Sequence, residues 1–217
     1  MFISQEGYAR DVLKRFGMED SNPMNTPMET KTKLSKNDEG VVIDENLYRS
    51  LVGSLRYLTC TRPDIAYAVG VISRFMENPK SSHWKAAKRI LRYVKGTADL
   101  GLLYPRGTNN CVKLAGYPDS DWCGDSDDRR STTGFVFYFG TTAFTWQSKK
   151  QAIVTLSTCE AEYVAASSCV NHAIWLRNLL EDLRMAQSGP TEIKVDNKSA
   201  IDLAKNPVYH EIGRAHV

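Results

Sequence analysis

Through its first hundred residues the chain spaces apolar positions as helices do, and through much of the remainder it alternates them as strands do. Ala9, Val12, Leu13 and Phe16 share one face across Tyr8–Phe16, and Gly17 supplies a stop, so a short helix is expected there. Met18–Glu45 is polar, carries Asn22-Pro23 and Thr26-Pro27, and reads as an exposed connector. Tyr48–Leu58 predicts a second helix. Arg62-Pro63-Asp64 sets a proline and an acid at the start of a third, running through Ile65, Val69, Ile72 and Met76 until Pro79. Ser81–Lys95 predicts an amphipathic helix with Trp84, Ala87, Leu91 and Val94 on one face and Lys85, Lys88, Arg89, Arg92 and Lys95 on another.

From Leu100 the spacing changes. Gly101–Tyr104 is a short apolar segment, and the turn-rich Arg106–Asn110 places a domain boundary near residue 107. Cys111–Tyr117 alternates as a strand that stops at Pro118. Gly134–Phe139 and Ala143–Gln147 flank Gly140-Thr141-Thr142 as a tight antiparallel hairpin. Ser157 opens a long helix that continues through Leu183 to the Ser188-Gly189-Pro190 break; Ile193–Val195 is a further strand, and Ser199–Lys205 a helix halted before Pro207. Three strands, a helix, a strand and a helix give a mixed sheet, so the fold class is α+β.

Composition narrows the function classes. The 217 residues are 42% hydrophobic and 10% aromatic, enough for a folded core, and the net charge of +3 leaves any nucleic-acid role to local clustering. The five cysteines (Cys60, Cys111, Cys123, Cys159, Cys169) are scattered without a CxxC pair, which argues against a disulfide framework or zinc site and for a reducing compartment. No apolar run is long enough for a membrane span, and no secretory signal pattern opens the chain.

The candidate chemistry lies in carboxylates. Asp119 and Asp121 follow an apolar strand two residues apart, a spacing that aims both at one point if the strand continues past Pro118; an ordinary acidic turn is the alternative. Ser157 and Glu160 fit a capping box, which accounts for Glu160. Glu162, roughly 200° further around the helix, sits among Ala161, Ala165 and Ala166, where it is either a ligand or a first-turn glutamate favoured by the helix dipole. Asp196 again ends an apolar strand. Should the strands of Asp119 and Asp196 be neighbours under the long helix, three carboxylates converge, and oxygen-only ligands of that kind suit Mg²⁺ or Mn²⁺. The single-sign stripe Lys85, Lys88, Arg89, Arg92 and Lys95 is either a solvated face or a phosphate-tracking surface.

The motifs Tyr48-Arg49-Ser50-Leu51-Val52-Gly53-Ser54-Leu55, Thr61-Arg62-Pro63-Asp64-Ile65, His83-Trp84-Lys85-Ala86-Ala87-Lys88-Arg89-Ile90-Leu91-Arg92-Tyr93, Asp119-Ser120-Asp121-Trp122, Ser131-Thr132-Thr133-Gly134-Phe135, Glu160-Ala161-Glu162-Tyr163 and Asp196-Asn197-Lys198-Ser199-Ala200 carry a resemblance. Over nearly its whole length the chain resembles the C-terminal part of the Pol polyprotein of copia-type LTR retrotransposons. The resemblance implies that residues 1–106 end a reverse transcriptase, as its thumb or connection, without the polymerase's aspartate pair, and that 107–211 form a ribonuclease H-like domain. It implies hydrolysis of the RNA strand of an RNA/DNA hybrid by two divalent metals, Mg²⁺ or Mn²⁺, at Asp119, Glu162 and Asp196, with Asp121 as an alternative or outer ligand. The partners so implied are the hybrid and the remainder of the Pol polyprotein, with no membrane and no small-molecule cofactor. The setting is the cytoplasm, in a virus-like particle, or the nucleus, and not a secreted one. The resemblance ends at Glu211, and Ile212–Val217 is expected to be a non-native tail, since one frame of a sequencing-adapter oligonucleotide encodes it. A domain that ends there lacks a last strand and helix, so poor stability or inactivity is expected. A non-catalytic nucleic-acid-binding connection module and an inactive pseudogene product are the competing readings.

Overall fold

The computed structural model describes residues 1–30, 32–105 and 113–206, and the expectations for 106–112 and 207–217 lie outside these. The chain divides into two compact units, Met1–Arg106 with Asp125–Asp127, and Gly107–Gly124 with Asp128–Val217.

The first unit is helical. Strand β1 (Phe2–Ser4) leads into α1 (Glu6–Arg15), and Gly17, at φ +63°, takes the left-handed conformation expected of a helix stop. Helix α2 (Glu45–Leu58) starts on Asp44, whose carboxylate accepts from Leu47 N at 2.8 Å. The third helical stretch is broken into a 3₁₀ turn (Pro63–Ile65), α3 (Ala66–Ile72) and a second 3₁₀ turn (Ser73–Phe75). At the second turn the Ser73 hydroxyl donates to the Gly70 carbonyl at 2.7 Å, local bonding of a kind that competes with regular helix continuation. Helix α4 (Ser81–Gly96) follows, then β2 (Gly101–Leu103), which pairs antiparallel with β1. Val12, Leu51, Leu55, Ile65, Ile72, Ile90, Leu91 and Val94 pack the core, and buried Tyr48 donates to the Ile72 carbonyl at 2.9 Å.

His83 holds the start of α4. Its Nδ1 accepts from Lys80 N at 2.9 Å, which leaves the ring proton on Nε2 to donate to the Ser35 carbonyl at 3.0 Å, and the ring stacks on Phe75. Burial, with the Lys80 charge, pushes the His83 pKa down despite the opposing Ser35 carbonyl and the Asp38 and Asp127 carboxylates. The folded ring therefore takes up its proton at a lower pH than an unfolded one, which charges below about 6.5, so stability present above that value is lost as pH falls. The urea midpoint should drop between neutrality and about pH 5, and a His83→Gln chain should lose part of that slope.

The second unit is a four-stranded mixed sheet in the order β5-β4-β3-β6, from β3 (Leu114–Asp121), β4 (Thr132–Phe139), β5 (Thr142–Lys150) and β6 (Glu192–Ile193). Helix α5 (Thr158–Asp182) packs on β3 and β4, and α6 (Lys198–Lys205) packs on α5. The architecture is α+β, consistent with a ribonuclease H-like fold. Phe135, Phe137, Cys169, Ala173, Leu176 and Leu180 form its core. Contrary to expectation, β3 runs through Pro118 to Asp121. Gly116 accepts from Lys194 N on the β6 side, and Pro118, two residues on, faces the same side after the β6 ladder has ended at Gly116↔Ile193. No ladder bond is forfeited by its missing N–H. A Cβ on Gly116 would lie 2.7 Å from Phe137 and 2.8 Å from Ile193, so Gly116→Ala should destabilise this unit by about 1–3 kcal/mol in denaturant titration.

Candidate functional site

The expected neighbours are neighbours: β3 and β6 pair in parallel, which sends Asp119 and Asp196 toward the same end of the sheet. Asp119 lies in β3, three places past Gly116 and two before the strand's end. Asp196 lies in the bend after β6, just before Asn197, whose side chain caps α6 by accepting from Ala200 N at 3.0 Å.

Helix α5 supplies the third acid. Ser157 Oγ accepts from Glu160 N at 3.1 Å, while Glu160 Oε2 accepts from Leu156 N at 2.7 Å, so the expected capping box closes one residue early. Glu162 is 8% exposed, next to fully buried Ala161 and Ala165. Its Oε1 accepts from Ser120 N at 3.1 Å and from Ser120 Oγ at 2.9 Å, and its Oε2 is buried with no partner. Burial raises the Glu162 pKa, the Asp119 and Asp196 charges raise it further, and the Ser120 bonds oppose the shift. A buried carboxylate that keeps one oxygen unpartnered beside two like charges is costly for the fold alone.

Those donors suit an oxygen-ligated divalent cation, and the orphaned Oε2 is the atom such an ion would satisfy. Among the described residues no three His, Cys, Asp or Glu side chains stand together at metal-ligand spacing. Asp121 shares the Asp119 face of β3, yet its carboxylate folds into the following turn and occupies the space that a Cβ on Gly124 would fill. That turn is anchored by Trp122 Nε1 donating to the Thr155 carbonyl at 3.2 Å and by Cys123 N donating to Ser131 Oγ at 3.2 Å. Gln151 joins β4 to the start of α5, donating to Thr133 Oγ1 at 3.0 Å and to the Ala161 carbonyl at 3.1 Å.

The sequence pattern passed over Ser120 and Gln151. Ser120 alternates with Leu114, Gly116 and Pro118 onto the helix side of β3, a signal legible only once the strand is known to continue past Pro118. In the first unit, three of the five basic residues of α4 are engaged by the connector. Arg89 donates to Glu29 Oε1 at 2.7 Å and Thr26 Oγ1 at 3.0 Å, Arg92 to the Asn22 carbonyl at 2.6 Å, and Lys95 to the Ser21 carbonyl at 2.7 Å. Lys88 sits over the Trp84 ring, and Lys85 is exposed.

The second unit is therefore an α+β domain whose mixed sheet sends Asp119 and Asp196 toward one end of two adjacent parallel strands, with Glu162 on the helix that covers them. The chain is 46% identical to the retrovirus-related Pol polyprotein from transposon TNT 1-94 of Nicotiana tabacum, over 97% of this chain and 16% of the relative. It is 41% identical to the corresponding polyprotein from transposon RE2 of Arabidopsis thaliana, over 97% of this chain and 14% of the relative. An uncharacterized mitochondrial protein of Arabidopsis thaliana matches at 39% identity over 81% of this chain and 72% of its own length. The chain is thus similar to retrovirus-related transposon Pol polyproteins along nearly all of its length, and it spans about a sixth or less of those two polyproteins. No family model and no solved structure matches it.

Proposed function

We propose that this chain is the ribonuclease H segment of a copia-type Pol polyprotein, with the end of the reverse transcriptase preceding it, and that it hydrolyses the RNA strand of RNA/DNA hybrids. The observation that carries this reading is Glu162, buried with an unpartnered Oε2, held by Ser120 and raised in pKa by the charges of Asp119 and Asp196. Structural burial gives no reason to keep such a group, whereas cation binding does. Asp119, Glu162 and Asp196 would hold Mg²⁺ or Mn²⁺, with Asp121 kept back by its turn. When bound, the divalent ions lower the pKa of the attacking water and neutralise the leaving 3′ oxygen. The protein's part is to fix the three carboxylates and to keep the Glu162 oxygens oriented. Hybrid recognition would use 2′-hydroxyl and phosphate contacts, with Lys85 and Lys88 of α4 as phosphate contacts, because the connector engages Arg89, Arg92 and Lys95, and with the rest of the polyprotein as partner.

The test is cleavage and binding of one labelled hybrid by the wild-type chain and by Asp196→Asn. Mg²⁺-dependent cleavage should fall by about a hundredfold or more, beyond the loss of an outer-shell partner, while salt-sensitive binding is retained. A wild-type chain that binds hybrid but leaves the RNA intact in Mg²⁺ would mark a non-catalytic connection module or an inactive copy instead.

A further inference from the structure

The structure assigns Ser120 the role of positioning residue for the carboxylate site, an inference that rests on the ribonuclease reading above. Ser120 is the residue that ties the strand acid to the helix acid. Its N–H is shared between Asp119 Oδ1 at 2.7 Å and Glu162 Oε1 at 3.1 Å, and its hydroxyl donates to the same Glu162 Oε1 at 2.9 Å. The two donors occupy one oxygen of Glu162 and leave the other, Oε2, buried and without a partner.

The consequence is directional. A carboxylate held at one oxygen by two donors from a rigid strand cannot swing freely about its terminal torsion, so the atom presented to a cation is Oε2. The backbone donor belongs to any residue at this position, but the hydroxyl does not. Alternation along β3 turns the Ser120 side chain toward α5, and buried Ala161 and Ala165 flank Glu162 without bulk. A hydroxyl therefore orients the acid, and a methyl in its place leaves it one donor short.

Mn²⁺ binding to the full chain, read by electron paramagnetic resonance of the free ion without substrate, tests the role, with melting temperature recorded in parallel. Ser120→Ala should weaken Mn²⁺ binding by about tenfold, as the loss of an outer-shell partner does, and Ser120→Thr should restore binding to within about threefold of wild type. Ser120→Gly also deletes the hydroxyl while keeping the backbone donor, and replaces Ser120→Ala if that variant does not fold. Deletion variants that bind Mn²⁺ as tightly as wild type would overturn the positioning role alone. A wild-type chain whose Mn²⁺ binding is absent, or unchanged by Glu162→Gln, would overturn the ribonuclease reading and the role with it.

Discussion

Glu162→Gln is expected to abolish hybrid cleavage, by about a thousandfold or more, because it removes an inner ligand and not the outer partner whose loss costs 10–100-fold. The same substitution should raise the melting temperature of the chain without metal. Glu162 is buried, its pKa is raised first by that burial and then by the Asp119 and Asp196 charges, and one of its oxygens has no partner. An acid whose folded pKa lies above its unfolded one makes the fold less stable as pH rises through that interval, and the full cost is present once pH has passed the folded value. Glutamine keeps the shape and an acceptor for Ser120 and removes the charge. Opposite signs on activity and stability are what a site kept for chemistry produces. Cleavage rates and thermal melts on one preparation check both; a variant that loses activity and stability together would indicate a structural glutamate.

Arg62→Ala should cost the first unit about 3 kcal/mol, the lower end of the range for breaking a buried ion pair, since Asp64 keeps some access to water. Arg62 is 4% exposed, and its guanidinium donates to Asp64 through Nε at 3.0 Å and Nη2 at 2.8 Å. It also donates to the Thr97 carbonyl at 2.8 Å and Thr97 Oγ1 at 2.6 Å, while Tyr93 donates to Asp64 at 2.8 Å. Burial tends to raise the Asp64 pKa, and the hydrogen bonds and charge of Arg62 outweigh it, leaving the carboxyl below its ordinary value. Deleting the guanidinium takes its donors from Asp64, from Thr97 Oγ1 and from the Thr97 carbonyl just past α4. Denaturant midpoints of the wild type and the variant measure the loss, and Arg62→Lys should recover only part of it, because a single ammonium cannot bond both sides. A midpoint unchanged in Arg62→Ala would show that the network carries no stability.

Legibility followed the range of the interactions. The amphipathic helices near Tyr8–Phe16, Tyr48–Leu58 and Ser81–Lys95 could be read because their apolar spacing is local, and the structure forms α1, α2 and α4 there. Strand β1 could not, since its three exposed residues are ordered only by pairing with Gly101–Leu103 about a hundred residues on. Pro118 misled because a proline halts a strand only where its N–H is needed, and that depends on where a distant partner ends. The acids were each visible as strand-end or helix-start carboxylates. Their association depends on the parallel pairing of β3 with β6, and the role of Ser120 on the same tertiary arrangement. The basic stripe of α4 looked free of acids on its own helix; the connector supplies Glu29 and the carbonyls of Ser21 and Asn22. Conversely, the Thr61-Arg62-Pro63-Asp64 motif carries packing and hydrogen bonding.

The most direct test of the carboxylate site is where a divalent ion binds. Crystals of the chain soaked in Mn²⁺ should show anomalous density about 2.0–2.2 Å from Glu162 Oε2 and from carboxylate oxygens of Asp119 and Asp196, with any second ion about 3.5–4 Å from the first. Mn²⁺ density elsewhere on the chain, with Glu162 Oε2 left unligated at saturating ion, would contradict the account.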